Sequence, residues 1–261
     1  MARAVREGRG VSVAVSGGGV MRVLDLFSGI GGFSLGLERA GMQTVAFCEI
    51  DPYCRRVLAK HWPEVPCYED VRTLSAERLA ANGIGVDVIC GGFPCQDISL
   101  LGTRLGLKGE RSGLFSQCAR LISELRPHYA ILENVAELLD NGMGEILGTL
   151  AALGYDAEWH CIQAANVDKP HIRDRTWIVA NPAQVKGLDS IFQRRPIPMY
   201  NAAFNWEDWA SQQWPKAASY IRRIDDGLPH ASHRISALGN AVVPQIPEMI
   251  GRAIIAHAAH S

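Results

Sequence analysis

The chain is expected to fold as an α/β protein on a doubly wound, mostly parallel sheet, and three observations predict this. Short apolar runs alternate with segments whose apolar residues recur at helical period. The run "VDVIC" at 86–90 is nearly continuous in apolar residues, as a strand covered on both faces should be. A glycine-rich turn within "DLFSGIGGFSLGLE" at 25–38 joins the first strand to the first helix. Glycines there let backbone approach a ligand and aim helix-end N–H groups at it.

The elements follow in order. "MRVLDL" (21–26) reads as a strand and 31–40 as a helix opened by glycines. "TVAFCEI" (44–50) is a second strand, followed by a helix from Pro52, a residue suited to a first helical turn. "VPCYEDV" (65–71) is a weaker strand and "VDVICGG" (86–92) a strong one. A glycine-rich loop covers 93–113, "LFSQCARLISELR" (114–126) has helical period, and "YAILENV" (129–135) returns to strand. A helix near 145–153 precedes strands at 155–164 and 176–181, and "PEMIGRAIIAHAA" closes the chain as an apolar helix. Alternation of this kind places helices on both faces of the sheet.

Composition narrows the function classes. The 261 residues suit one large domain. No apolar stretch approaches the ~18–20 residues that span a bilayer, so no membrane partner is expected. Residues 1–20, with three arginines and glycines at 17–19, read as a flexible leader, and Met21 is a candidate alternative start. Seven cysteines without C-x-x-C spacing argue against disulfides and against a zinc site, and fit a reducing cytoplasm. The net charge of −1 gives no bulk attraction to nucleic acid, so such a partner needs a local basic patch. Residues 182–222 lose all period and are rich in rings, with Trp206, Trp209 and Trp214 beside Phe192, Tyr200, Phe204 and Tyr220. The expected plan is a catalytic domain of 21–181 plus 223–261, interrupted by this insertion.

The turn at 25–38 is not a dinucleotide fingerprint, because Ser34 stands where the third glycine belongs. Glu49 closes the second strand, where an acid commonly receives a ribose hydroxyl, and Asp70 ends the third, placed for an adenine amino group. Each alone reads better as a helix cap or a solvated surface acid. Together at three successive strand ends they favour a nucleoside site. Cys95, in "GGFPCQ" (91–96), follows the fourth strand and so faces the same sheet edge.

"DLFSGIGG", "GGFPCQ", "ENV" (133–135) and "LGNAVVPQ" (238–245), in this order, resemble the DNA (cytosine-5)-methyltransferases, and "PHIRDRTWIVA" resembles bacterial and phage members. The resemblance implies the fold of S-adenosylmethionine-dependent methyltransferases. It also implies S-adenosyl-L-methionine as methyl donor, held by Phe27, Gly29, Gly31, Glu49, Ile50, Asp70, Pro94, Leu114, Asn240 and Val242. The implied reaction is attack of the Cys95 thiolate on carbon 6 of a cytosine flipped out of duplex DNA, followed by methylation of carbon 5. Glu133 is implied as the proton donor at N3, which needs a raised pKa, and Arg175 as the contact to the ring oxygen, with Arg173 in the same motif. Gln96 and Ser99 match positions near the flipped nucleotide. Arg104, Lys108 and Arg111, in a loop with four glycines, suit closure over DNA, and Arg194 and Arg195 are candidate DNA contacts in the recognition insertion. That insertion is shorter than the family's usual recognition region, and His171 replaces a common glutamine. No metal is expected. The expected partners are double-stranded DNA and, as a further candidate, a cognate restriction endonuclease, for a monomer in the cytoplasm of a bacterium or a phage-infected host. Methylation of transfer RNA, or DNA binding without turnover, are the weaker readings.

Overall fold

The computed structural model describes residues 19–94, 113–140, 142–163, 174–183 and 241–259. Cys95, Gln96, Ser99, Arg104, Lys108, Arg111, Arg173, Arg194, Arg195 and Asn240 lie outside the described residues, as do nearly all of the leader and of the insertion.

Seven strands form one sheet. They are β1 (Arg22–Leu26), β2 (Gln43–Cys48), β3 (Cys67–Tyr68), β4 (Val88–Gly92), β5 (Tyr129–Val135), β6 (Tyr155–Gln163) and β7 (Asp174–Pro182). The helices are α1 (Gly32–Ala40), α2 (Pro52–His61), α3 (Ala76–Ala81), α4 (Gly113–Leu125), α5 (Met143–Ala152) and α6 (Gln245–Ala258). The strand order is β3-β2-β1-β4-β5-β7-β6. Order reverses between β1 and β4, so the loops leaving these two strands diverge and open a crevice at their carboxyl ends.

Alternation along the strands builds two cores. In β1, Leu24 and Leu26 face a cluster with Leu79 of α3, Phe115, Cys118, Leu121 and Ile122 of α4, and Ile146 and Leu150 of α5. Val23 faces the opposite cluster, with Phe33 and Leu37 of α1 and Ile246, Ile250 and Ile254 of α6. The two faces are therefore covered by different helices, as a parallel sheet requires. On the second face α1 and α6 pack backbone to side chain. A Cβ on Gly36 would collide with the Pro244 carbonyl oxygen and meet Pro247 Cγ at 2.7 Å, and one on Gly251 would meet Ala40 Cβ at 2.8 Å. The Tyr129 hydroxyl, 2.9 Å from buried His257 Nδ1, ties α6 to the foot of β5.

The parallel register holds from β3 through β5, but β7 pairs antiparallel with both β5 and β6. The chain between β6 and β7 is ten residues long, too short for the crossover of a dozen or more that a parallel return needs. The expected strand at 65–71 contracts to Cys67–Tyr68 because Asp70 turns the chain, its side chain accepting from the Arg72 N–H at 2.9 Å. The six-residue α3, capped by Ser75, was not visible as a period because it completes under two turns.

Candidate active site

The glycine loop after β1 is held from both ends by Asp25, a fully buried acid near the end of β1. Its Oδ2 accepts from Ser34 Oγ, in the first turn of α1, at 2.7 Å. Its backbone oxygen accepts from Ser28 Oγ at 2.7 Å. Burial raises the carboxyl from 3.8 to about 7, against the lowering effect of the Ser34 bond. Oδ1 has no donor in hydrogen-bonding geometry among the described residues; the neighbouring Cys90 thiol, whose own pKa burial and Asp25 raise, also acts to lower the acid.

Between those ends the backbone takes positive φ at Phe27 (54°), Gly29 (53°) and Gly31 (88°). Gly31 is also packed against Trp62, whose ring lies 2.6 Å from where a Cβ would stand. Trp62 is fixed in turn by its Nε1–H, which donates to both Glu38 carboxylate oxygens at 2.9 Å. Among the described residues nothing lies within 4 Å of a Cβ built on Gly29, so as far as they go the loop is open above that residue.

Glu49, just past β2, is buried and engaged. Its Oε2 accepts from the Gly29 N–H at 2.7 Å and its Oε1 from the Asp51 N–H at 2.8 Å. Beside it Ile50 is 66% exposed, an apolar side chain presented to the crevice mouth. Asp70 lies at the next strand end, paired with Arg72 (Nη2 to Oδ2, 2.8 Å), so in this structure it acts as the cap of a short 3₁₀ turn. Phe27 and Leu114 are half-buried against one core, and Val242 against the other, where its carbonyl oxygen lies 2.5 Å from a Cβ built on Gly32. The last segment thus meets the helix that opens from the glycine loop.

The second half of the crevice stands on β4, β5 and β7. Glu133, 8% exposed, ends β5, and its Oε1 pairs with Arg175 Nε at 2.9 Å. Arg175 reaches it because β7 starts at the rim where β5 ends, Val135 facing Arg175 in the ladder. Arg175 Nη1 also donates to the Asp174 carbonyl at 2.7 Å. Asn134, buried, donates from Nδ2 to the Phe93 carbonyl at 2.9 Å and fixes the backbone just before Pro94. No motif in the sequence singles out Trp62 or Asp25. Asp25 had a signal in an acid set amid apolar residues. Trp62 had none, since its contact with Gly31 joins distant segments.

Burial raises the thiols of Cys48, Cys54 and Cys118 to about 12 and that of Cys67 to about 11. These four are therefore protonated packing groups at neutral pH. Among the described residues no three metal-ligating side chains cluster, and no helix is long and apolar enough to cross a membrane.

The pattern of the C-5 cytosine-specific DNA methylases matches residues 21–226. Type II methyltransferase M2.BsuMI of Bacillus subtilis is 35% identical over 169 residues, covering 62% of this chain and 42% of that protein. Type II methyltransferase M.Eco47II of Escherichia coli is 38% identical over 166 residues, covering 62% and 39%. The chain thus spans less than half the length of these relatives. Among solved structures, a protein encoded within an E. coli prophage and described as a DNA modification methyltransferase aligns with TM-score 0.54 and 30% identity, over 64% of this chain and 48% of that one.

Proposed function

Because the chain belongs to the C-5 cytosine-specific DNA methylase family, we propose that it methylates carbon 5 of cytosine in double-stranded DNA, with S-adenosyl-L-methionine as donor. The observation that carries this reading is the pairing of buried Glu133 with part-buried Arg175, beside the end of β4, which in sequence stands three residues before Cys95.

The residues around the donor loop fit that donor. The Gly29 N–H, which in a phosphate-binding loop would point at an anion, is taken by the Glu49 carboxylate. An acid there repels phosphate and suits ribose hydroxyls and a cationic donor. The open space over Gly29 and the exposed Ile50 offer an apolar seat for a flat base. Phe27, Gly29, Gly31, Glu49, Ile50, Asp70, Pro94, Leu114, Asn240 and Val242 would hold the donor, which when bound supplies an electrophilic methyl group.

In the reaction, the Cys95 thiolate forms a bond to carbon 6 of the flipped cytosine. Glu133 delivers a proton to N3, which neutralises the charge that attack places on the ring. Arg175, with Arg173 in the same segment, contacts the ring oxygen with fixed guanidinium donors. After carbon 5 is methylated it loses its proton to solvent, N3 returns its proton to Glu133, and the carbon 6–sulfur bond breaks with its electron pair leaving on the thiolate. Gln96, Ser99, Arg104, Lys108 and Arg111 would line the DNA side, and Arg194 and Arg195, within 182–222, would contact the target sequence. The restriction-modification setting of the relatives makes a cognate endonuclease the expected companion, with the chain acting as a cytoplasmic monomer.

The test is transfer of labelled methyl from S-adenosylmethionine to duplex DNA, with Cys95→Ser alongside. The wild type labels cytosine and is trapped on 5-fluorocytosine DNA, while C95S does neither. Full turnover by C95S would falsify the covalent route.

A further inference from the structure

The sequence "GGF" at 91–93 carries two adjacent glycines at the end of β4, and the structure gives them different reasons. Neither has positive φ, so backbone freedom explains neither. A Cβ on Gly91 would stand 2.6 Å from the Leu26 carbonyl oxygen, a backbone atom of the neighbouring strand that cannot yield. A Cβ on Gly92 meets something else. The three nearest atoms all belong to Glu133, with Oε2 at 2.7 Å, Cδ at 3.8 Å and the backbone oxygen at 3.9 Å. Gly92 and Glu133 are partners in the β4–β5 ladder, so the acid occupies the place where its neighbour's side chain would be.

We propose that Gly92 is a positioning residue for Glu133, its missing side chain forming the slot that seats the carboxylate between β4 and Arg175. The seat has two walls. On one side Oε1 is held by Arg175 Nε at 2.9 Å. On the other, Oε2 rests over the bare Cα of Gly92, three residues before Cys95. A methyl group there leaves the sheet intact, because among the described residues the only atom under 3.4 Å is the tip of a movable side chain. It forces the carboxylate out of the slot and turns it against Arg175. The inference deepens the reading of Glu133 as proton donor and rests on it.

The experiment compares wild type, G92A, E133D and G92A/E133D, with G91A as a control for damage to the sheet. G92A keeps the wild-type melting temperature and affinity for S-adenosylmethionine, whereas G91A loses stability. In G92A kcat for methyl transfer falls at least tenfold while KM for DNA stays near wild type, and the pH profile of kcat shifts. Aspartate is one methylene shorter and clears the added methyl. E133D therefore costs less activity in the G92A background than in wild type, a coupling that a double-mutant cycle reads directly. Wild-type kcat in G92A, or strictly multiplicative effects of the two changes, overturns the proposal. Absence of both methyl transfer and the 5-fluorocytosine adduct in the wild type would instead sink the functional reading. The slot is then read by ¹³C NMR of the Glu133 carboxyl resonance, assigned with E133Q. That resonance moves in G92A if the slot exists, and an unmoved resonance overturns it.

Discussion

Replacing Asp25 by asparagine should reverse its effect on stability between acid and alkaline pH. The carboxyl is fully buried, and burial carries its pKa from 3.8 to about 7, a difference corresponding to about 4 kcal/mol. The folded pKa lies above the unfolded one. The folded chain therefore holds its full stability from this group below pH ~4, loses it progressively as pH rises to about 7, and stays at the lower level beyond. Asparagine removes that dependence. Its carbonyl oxygen can keep the bond from Ser34 Oγ, but its amide then faces the position of Oδ1, where the neighbouring Cys90 thiol is too weak an acceptor to satisfy it. A buried amide without an acceptor costs about 1–3 kcal/mol at every pH. D25N should accordingly be less stable than wild type by about 1–3 kcal/mol near pH 4 and more stable by a similar amount at pH 8. The two curves should cross between roughly pH 4.5 and 6. Urea unfolding at a series of pH values, extrapolated linearly to water, measures both. A difference between the variants that stays constant from pH 4 to 8 refutes the argument that this acid is buried with a raised pKa.

Other substitutions test other contacts. E49A removes the acceptor for the Gly29 and Asp51 N–H groups, so calorimetry should show S-adenosylmethionine binding weakened at least ~10-fold, about 1.4 kcal/mol; unchanged affinity would remove Glu49 from the donor site. G36A puts a methyl against the backbone of Pro244 and Glu248 and should destabilise the chain by about 1–3 kcal/mol in urea, by prising α6 from α1. D87A removes the acceptor of the Arg22 N–H and guanidinium, at 2.8–2.9 Å. With Arg22 half exposed, the loss should be about 1 kcal/mol. The Asp87 pKa is lowered, its hydrogen bonds to Arg22 outweighing burial, so this contribution is present above pH ~4 and disappears as pH falls through the folded value, opposite in sense to Asp25.

Much of this molecule could be read from residue order because its signals are local. "VDVIC" and "YAILENV" carry too few polar residues to be anything but covered strands, and both are strands in the sheet. Asp51-Pro52 announces a helix start, and Asp51 accepts from Tyr53 and Cys54 N–H groups as a cap. The positions of Glu49 and Glu133 at strand ends also followed from run lengths. The direction of β7 did not follow, since apolar strands of either sense look alike and only the shortness of the preceding connection argues for reversal. Trp62 beneath Gly31 and Glu133 beside Gly92 were illegible for a different reason. Each is a contact between segments brought together by the sheet, and a lone tryptophan or a glycine pair carries no mark of what it will touch.

The reversed strand also divides the labour of variation. Arg175 is delivered to Glu133 by a ladder that runs from Val135–Arg175 to Ala130–Ala180, and is backed by a second ladder from β6 along the whole of β7. Once the short connection has reversed the strand, its position is set by those rungs. Short insertions or deletions at 164–172, ahead of Arg173, should therefore be absorbed without disturbing the acid–guanidinium pair. A one-residue slip inside β7 would instead turn the guanidinium to the opposite side of the sheet. Drift in this neighbourhood is free in one segment and forbidden in the next.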